Sequence, residues 1–202
     1  LLSVITMTIG NLFAIRQINI KRFLAFSSIT QAGYILIGVA SASSQSMASV
    51  IYFLLIYAFS NIGAFTVVSL ISDRTGKENI DDYKGLYKTN PLLSVALLLA
   101  VFSLAGIPPT AGFFGKLFLL TSGASAGLIT LIIIASLNMI ISLYYYLRIV
   151  KAMFVDKNET PIEKFISDTP AKIALVICVA GILVIGFISF IFEYIHSLSF
   201  GL

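Results

Sequence analysis

Long apolar runs separated by short polar links make up most of this chain. Six such runs can be read from the sequence, at about 1–15, 23–42, 48–72, 91–122, 126–150 and 170–193. A helix needs about 20 apolar residues to cross a bilayer, and a spanning backbone must pair its own polar groups, as helices and closed barrels do. Barrel strands alternate polar and apolar positions, whereas runs such as 91–104 do not. The pattern predicts an all-α, polytopic membrane bundle with six transmembrane spans.

Composition agrees with this prediction and excludes several other classes. Apolar residues make up 58% of the chain and charged residues 11%, against about 25% charged in soluble domains. The single cysteine, Cys178, lies in an apolar run, and the single histidine, His196, has no second ligand near it in sequence. We therefore predict no disulfide and no metal site. The first run would give only about 22 Å of helix. We interpret it as a truncated span, and the chain as the C-terminal part of a longer protein.

The basic residues indicate how the spans are oriented. Twelve of the 13 lysines and arginines lie in or beside the links that follow spans one, three and five. The positive-inside rule places such links in the cytoplasm, which predicts a C-terminus on the non-cytoplasmic side. Because these charges do not share one soluble face, we predict no nucleic-acid partner. Lys116 is the one basic residue that orientation does not explain.

The fourth run carries a helix-breaking motif. As one helix, residues 91–122 would reach about 48 Å, far beyond a hydrocarbon core of about 30 Å. Near its middle stand four residues that disturb helices, namely Gly106, Pro108, Pro109 and Gly112. Proline lacks the amide donor and its ring crowds the preceding turn, while glycine tolerates unusual dihedral angles. We predict a discontinuous helix, a feature that marks ion sites in transporters.

Lys116 lies about one turn into the second half of this broken span. A lysine at the bilayer centre costs about 2.5–3.5 kcal/mol on insertion scales. Burial and the positive end of the second half-helix both disfavour an additional charge there. We therefore predict that Lys116 loads and unloads a proton near neutral pH. The alternative is a structural lysine that reaches the interface or pairs with a carboxylate elsewhere.

Other polar residues inside the spans form a weaker set of candidates for a proton path. They are Ser28, Gln31, Asn138, Tyr144 and Tyr145. Such side chains can line a water path, or they can join helices by hydrogen bonds worth about 0.6 kcal/mol each. The tyrosines stand close to Arg148 at a predicted cytoplasmic end, where aromatic belts are common. On the residues alone, helix packing is the favoured interpretation.

Several motifs resemble one known family. The segment Ser103–Lys116, with sequence SLAGIPPTAGFFGK, resembles the broken twelfth helix of the antiporter-like subunits of proton-pumping NADH:quinone oxidoreductase, or respiratory complex I. Lys21–Tyr34 resembles the start of that family's tenth helix, and Leu143–Arg148 the end of its thirteenth. With Asp82–Leu86 added, the pattern is most similar to the branch called subunit N, or subunit 2 in mitochondria. The resemblance covers essentially the whole chain.

The resemblance implies a domain arrangement and roles for particular residues. Residues 1–202 would form a single transmembrane domain, with 1–150 as the second of two inverted repeats and 170–193 as the last helix. Lys116 matches the terminal lysine of a row of buried ionisable groups, which exchanges protons with the far side. Tyr145 matches a tyrosine near this exit. For this residue the resemblance therefore gives equal weight to helix packing and to a place on the proton path. Gln31 stands where relatives often carry histidine, and an amide cannot carry a proton at neutral pH.

The function implied by the resemblance is proton translocation in the bacterial inner membrane. The partners would be lipid and the other membrane-arm subunits. The complex as a whole uses NADH, FMN, iron–sulfur clusters and quinone, but this chain has no glycine-rich dinucleotide fingerprint and is expected to hold no cofactor. It would be part of an enzyme only through the assembly. The alternatives are a subunit of a multi-subunit sodium/proton antiporter, which shares the Pro-Pro and Lys pattern, and a non-pumping scaffold.

Overall fold

Helices make up almost all of the part of the chain that the structure describes. The computed structural model describes residues 1–165, 168–187 and 190–198. Within these ranges there are nine α-helices and one 3-10 turn, Ile80–Tyr83. The helices are α1 (Leu2–Ile15), α2 (Ile20–Ser41), α3 (Ser44–Thr75), α4 (Leu86–Thr89), α5 (Pro91–Ala105), α6 (Ala111–Ser125), α7 (Ile129–Phe154), α8 (Thr169–Phe187) and α9 (Phe190–Leu198). The predicted all-α class is confirmed.

The lengths and apolar character of the helices fit a membrane protein that crosses the bilayer several times. Within the described ranges, α2, α3, α7 and α8 are long and apolar enough to cross a membrane, while α1 and α5 are shorter apolar helices. The predicted fourth span is divided into α5 and α6, as expected of a discontinuous helix. The predicted last span, 170–193, corresponds to α8 and the start of α9; its residues 188 and 189 lie outside the described residues.

The three basic links lie together at one end of the bundle, which we call the basic face. They follow α1, α3 and α7, at 16–19, 76–90 and, in its described part, 155–165. The Ile20 amide donates to the Glu78 carbonyl at 2.8 Å, and the Gly85 amide donates to the Ala152 carbonyl at 3.0 Å. The links that follow spans one, three and five therefore share one side, as the distribution of basic residues predicted.

Glycines allow α1 and α2 to pack closely. A Cβ atom on Gly10 would lie 2.5 Å from Thr30 Oγ1, and one on Gly33 would lie 2.4 Å from Met7 Cγ. Small residues at helix interfaces let membrane helices approach in this way. The close contact brings the polar side chains of α2 against α1. The long helix α3 then contacts α2, α5, α6 and α8, so it packs against both half-helices that flank the break.

Candidate functional site: a buried lysine at a helix break

The break between α5 and α6 follows directly from its sequence. Helix α5 ends at Ala105, and Gly106 adopts a left-handed conformation with φ of +83°. Its amide donates to the Phe102 carbonyl at 2.9 Å, which closes the last turn. Pro108 and Pro109 lie in the non-helical link, and α6 begins at Ala111. Three of the four residues predicted to break the helix thus lie in the link itself.

Gly112, the fourth of these residues, lies in the first turn of α6 and not in the link. Its small size is what matters at this position. A Cβ atom at this position would lie 1.8 Å from the Ser103 carbonyl oxygen. Only glycine allows the start of α6 to lie this close to the last turn of α5. The glycine therefore positions the two half-helices relative to each other.

Lys116 is held by the two carbonyls that the prolines leave free. Its side chain is buried, with only 1% of the residue exposed, and Nζ donates to the carbonyls of Leu104 at 2.8 Å and Ala105 at 3.1 Å. In a continuous helix these carbonyls would accept from the amides four residues later, at positions 108 and 109. Both are prolines and have no N–H group. The Pro-Pro pair therefore creates the acceptors that bind the lysine.

This arrangement accommodates both protonation states of Lys116. A neutral amine has two N–H groups and one lone pair, while the ammonium has three N–H groups. Two carbonyl acceptors suit either form. Nζ also lies 5.0 Å from the centroid of the Tyr34 ring, a distance at which an aromatic face attracts a cation. No carboxylate of the described residues makes an ion pair with Lys116, so the expected alternative of such a pair finds no support there.

A chain of hydrogen bonds leads from the lysine's acceptor towards the basic face. Gln31 Nε2 donates to the Leu104 carbonyl at 3.1 Å and to the Tyr146 hydroxyl at 3.2 Å. The Tyr146 hydroxyl donates to Ser27 Oγ at 3.0 Å, one turn closer to the start of α2. Gln31 Oε1 is buried and has no hydrogen-bond partner among the described residues. Gln31 and Lys116 therefore share one carbonyl oxygen, an arrangement that brings α2, α5 and α6 together.

Two further candidates, Asn138 and Tyr145, belong to a network centred on Asn11. Asn11 Nδ2 donates to Asn138 Oδ1 at 2.8 Å. Asn11 Oδ1 accepts from the Tyr145 hydroxyl at 2.7 Å and from Thr30 Oγ1 at 3.2 Å. This network ties α1, α2 and α7 together, and it borders the Gln31 chain, because the Tyr145 side chain interacts with that of Tyr146, whose ring centroid is 4.8 Å away. Because an amide oxygen cannot pass on a proton at neutral pH, the network has the chemistry of a helix clamp.

The remaining two candidates lie apart from Lys116. Tyr144 is 63% exposed on the outer surface of α7. Ser28 Oγ donates to the Leu24 carbonyl of its own helix at 2.9 Å.

Two residues of the site, Asn11 and Tyr34, were not among the candidates from the sequence. Asn11 could have been found as the single amide inside the first apolar run, and Tyr34 as the residue three positions after Gln31, on the same helix face.

Residues of metal-binding type do not assemble in the part of the chain that the structure covers. Among the described residues, no group of three or more His, Cys, Asp or Glu side chains is placed to hold a metal ion. Cys178 is buried as a free thiol on α8. The chemistry available at the break is therefore that of an amine, carbonyls, an amide and hydroxyls.

Comparison with known proteins identifies the family. The family described as NADH:quinone oxidoreductase/Mrp antiporter, TM matches residues 1–142. The chain belongs to this family. NADH-quinone oxidoreductase subunit N of Phocaeicola vulgatus is 52% identical over 195 residues, which are 96% of this chain and 41% of that protein. Subunit N of Trichlorobacter lovleyi is 45% identical over 190 residues, 93% of this chain and 39% of that protein. The chain thus spans about two fifths of these family members.

Solved structures of family members show the same fold. A chain in the structure of respiratory complex I from Thermus thermophilus with bound aureothin matches with a TM-score of 0.79 and 33% identity, covering 91% of this chain and 42% of that one. A chain in the Mrp complex from Dietzia sp. matches with a TM-score of 0.88 and 26% identity, covering 98% of this chain and 45% of that one. The expected resemblance to the antiporter-like subunits, and to subunit N among them, is confirmed.

Proposed function

We propose that this chain is part of a proton-translocating membrane subunit of a NADH:quinone oxidoreductase, and that Lys116 is its proton carrier. The observation that carries the proposal is the binding of the buried Lys116 amine by the carbonyls of Leu104 and Ala105. Both protonation states can use these acceptors, and no carboxylate of the described residues fixes the positive charge. A lysine held in this way can take up and release a proton with little rearrangement.

The polar chain through Gln31 suggests the direction from which Lys116 is loaded. The hydroxyls of Tyr146 and Ser27 lie between Gln31 and the basic face. Since the Gln31 amide cannot itself carry a proton, a water bound at its unpartnered Oε1 would bridge this position. Buried waters of this kind typically satisfy otherwise unpaired polar groups. We propose loading from the basic face and, following the family resemblance, release on the opposite side.

The wider setting of the chain is also proposed from its relatives. Its partners would be the other membrane-arm subunits of complex I and the lipid of a bacterial inner membrane, with the C-terminus on the non-cytoplasmic side. NADH oxidation and quinone reduction would take place in other subunits. Residues 1–150 would form the second inverted repeat, and 170–193 the last helix. These assignments rest on the family resemblance and on the basic residues of the links that follow spans one, three and five.

The alternative is a subunit of a multi-subunit sodium/proton antiporter. It is favoured by the TM-score of 0.88 to a chain of the Mrp complex. The identities favour complex I, because subunit N of Phocaeicola vulgatus is 52% identical and the Mrp chain 26%. The complex I function and the antiporter function can be distinguished by replacing sodium with choline in the transport assay. Quinone-coupled proton uptake that is independent of sodium supports the proposal, and a strict sodium requirement supports the antiporter.

The central test replaces Lys116 in the complete subunit within its assembled complex. Lys116→Ala removes the carrier, while Lys116→Arg keeps a cation that cannot be deprotonated in proteins. We expect both variants to lose most quinone-coupled proton uptake in inverted vesicles. Lys88→Ala, which removes an exposed lysine of the basic face, is the matched control and should pump normally. Wild-type pumping by either Lys116 variant, with assembly intact on native gels, would refute the proton-carrier role.

A further inference from the structure

A groove outside the lysine site runs between α5 and α8. It has a volume of about 810 Å³, within the range of roughly 300–1,000 Å³ that is usual for ligand sites. The residues that line it are mostly apolar and include Leu92, Val95 and Leu99 of α5 and Val176, Val179 and Leu183 of α8. None of these six residues belongs to the site around Lys116. The groove therefore needs an explanation that does not involve proton transfer.

The length of the groove corresponds to one leaflet of a bilayer. Its lining extends from Thr89 to Leu99 on one side and from Lys172 to Leu183 on the other. At 1.5 Å per residue these segments are about 15–17 Å long, half of a hydrocarbon core of about 30 Å. A transmembrane helix would need a groove of full depth. An acyl chain from a single leaflet needs only this half.

The end of the groove at the basic face carries positive charge. Lys164 and Lys172 belong to the lining, and both are exposed. Among the described residues, neither lysine makes an ion pair, and no acidic side chain belongs to the lining. The nearby Asp168 is already paired with Arg74 at 2.7 Å. Lysines at a membrane surface attract anionic lipids with about 1 kcal/mol each.

We propose that this groove binds an anionic phospholipid of the basic-face leaflet. The phosphate would lie between Lys164 and Lys172, and an acyl chain would extend along the apolar side chains towards Leu99 and Leu183. An apolar channel of half-membrane depth that ends at two exposed lysines complements an amphipathic anion. A zwitterionic lipid would bind the apolar part equally well but would gain less from the lysines. The proposal does not depend on the function of Lys116.

The test uses the complete complex in lipid nanodiscs with photoactivatable phosphatidylglycerol. We expect labelling of peptides from 89–99 and 172–183, and much weaker labelling by the matching phosphatidylcholine. The double variant Lys164→Gln/Lys172→Gln should lower the apparent affinity for phosphatidylglycerol by about tenfold or more. The charge-retaining pair Lys164→Arg/Lys172→Arg should restore it. Lys77→Gln/Lys88→Gln, at two other lysines of the basic face, is the control and should label as the wild type does.

Several results would overturn the lipid site. Equal labelling by both lipids would show only non-specific lipid contact. A groove that stays unlabelled in the complete complex would be occupied by polypeptide. Unchanged affinity in the Gln pair would remove the role of the lysines, and displacement by millimolar inorganic phosphate would show an anion site that does not need the acyl chains.

Discussion

The substitution Gly112→Ala should separate the two half-helices and disrupt the lysine site. The new Cβ atom would lie 1.8 Å from the Ser103 carbonyl oxygen, 2.6 Å from the Ser103 carbonyl carbon and 2.9 Å from Ser103 Oγ, and real Cβ contacts essentially never fall below 3.0 Å. The closest obstacle is backbone, so rotation of a side chain cannot relieve the clash. The start of α6 must move away from the end of α5 by more than about 1 Å. Overpacking of this kind typically costs about 1–3 kcal/mol.

The displacement reaches Lys116 because the clash and the hydrogen bonds lie on the same pair of helices. The carbonyls of Leu104 and Ala105 directly follow Ser103, and Lys116 lies one turn after Gly112. Its hydrogen bonds are 2.8 and 3.1 Å long, so a shift of 1 Å would stretch the longer one to about 4 Å, beyond hydrogen-bond length. We therefore expect Gly112→Ala to lose most proton uptake even where the subunit still assembles.

The assay compares proton uptake per quinone reduced in inverted vesicles, at equal amounts of assembled complex on native gels. Gly63→Ala is the matched control. Gly63 is another helical glycine that faces α5 and α8, but its added Cβ would lie 3.2 Å from Cys178 Cβ, which a shift of a few tenths of an ångström can accommodate. We expect this variant to pump normally. If Gly112→Ala pumps as well as Gly63→Ala, the close approach of the half-helices does not hold the lysine site together.

Two further predictions concern residues away from the break. Hydrogen bonds from Lys21 and two other donors hold the pKa of Glu78 at about 2, below its ordinary value of 4.5. A depressed carboxyl pKa stabilises the fold above about pH 4.5, and this stabilisation is lost as the pH falls towards 2. Glu78→Gln should therefore flatten the acid loss of thermal stability, and an unchanged acid slope would contradict this. Tyr145→Phe should lower the thermal midpoint slightly, since it removes one hydrogen bond worth about 0.6 kcal/mol, and should retain pumping. The control Tyr144→Phe should change neither the thermal midpoint nor proton pumping. A Tyr145→Phe complex that fails to pump would place the Tyr145 hydroxyl on the proton path.

The spans and the break could be predicted because their causes are local in sequence. Long apolar runs directly indicate membrane-spanning helices, and a Pro-Pro pair removes two backbone N–H donors wherever it occurs. The burial of Lys116 could also be predicted, because its neighbours are apolar on both sides. Its acceptors were harder to foresee. The chain turns at Gly106, and this turn brings the Lys116 side chain of α6 back to the last carbonyls of α5.

The contacts between distant segments could not be predicted from the sequence. Asn11 and Asn138 are 127 positions apart, yet their side chains are 2.8 Å apart. Hydropathy also could not separate Tyr144 from Tyr145, because adjacent residues of a helix point about 100° apart, one to the surface and one to the core. The path candidates therefore have different surroundings: Gln31 lies beside an acceptor of Lys116, Asn138 and Tyr145 bond to Asn11, Ser28 bonds to its own helix and Tyr144 is exposed.

The carbonyls that hold Lys116 make the two prolines and the lysine dependent on one another. A Pro-Pro pair alone would leave the Ala105 carbonyl without a donor and the Leu104 carbonyl with only the Gln31 amide, and a buried lysine alone would lack ligands in an unbroken helix. Each is a liability to a membrane helix when it occurs singly. Together they compensate, because the defect in one half-helix supplies the ligands for the cation of the other. Substitutions at Pro108, Pro109 and Lys116 should therefore be strongly epistatic, so that this trio is gained or lost as a unit and not one residue at a time.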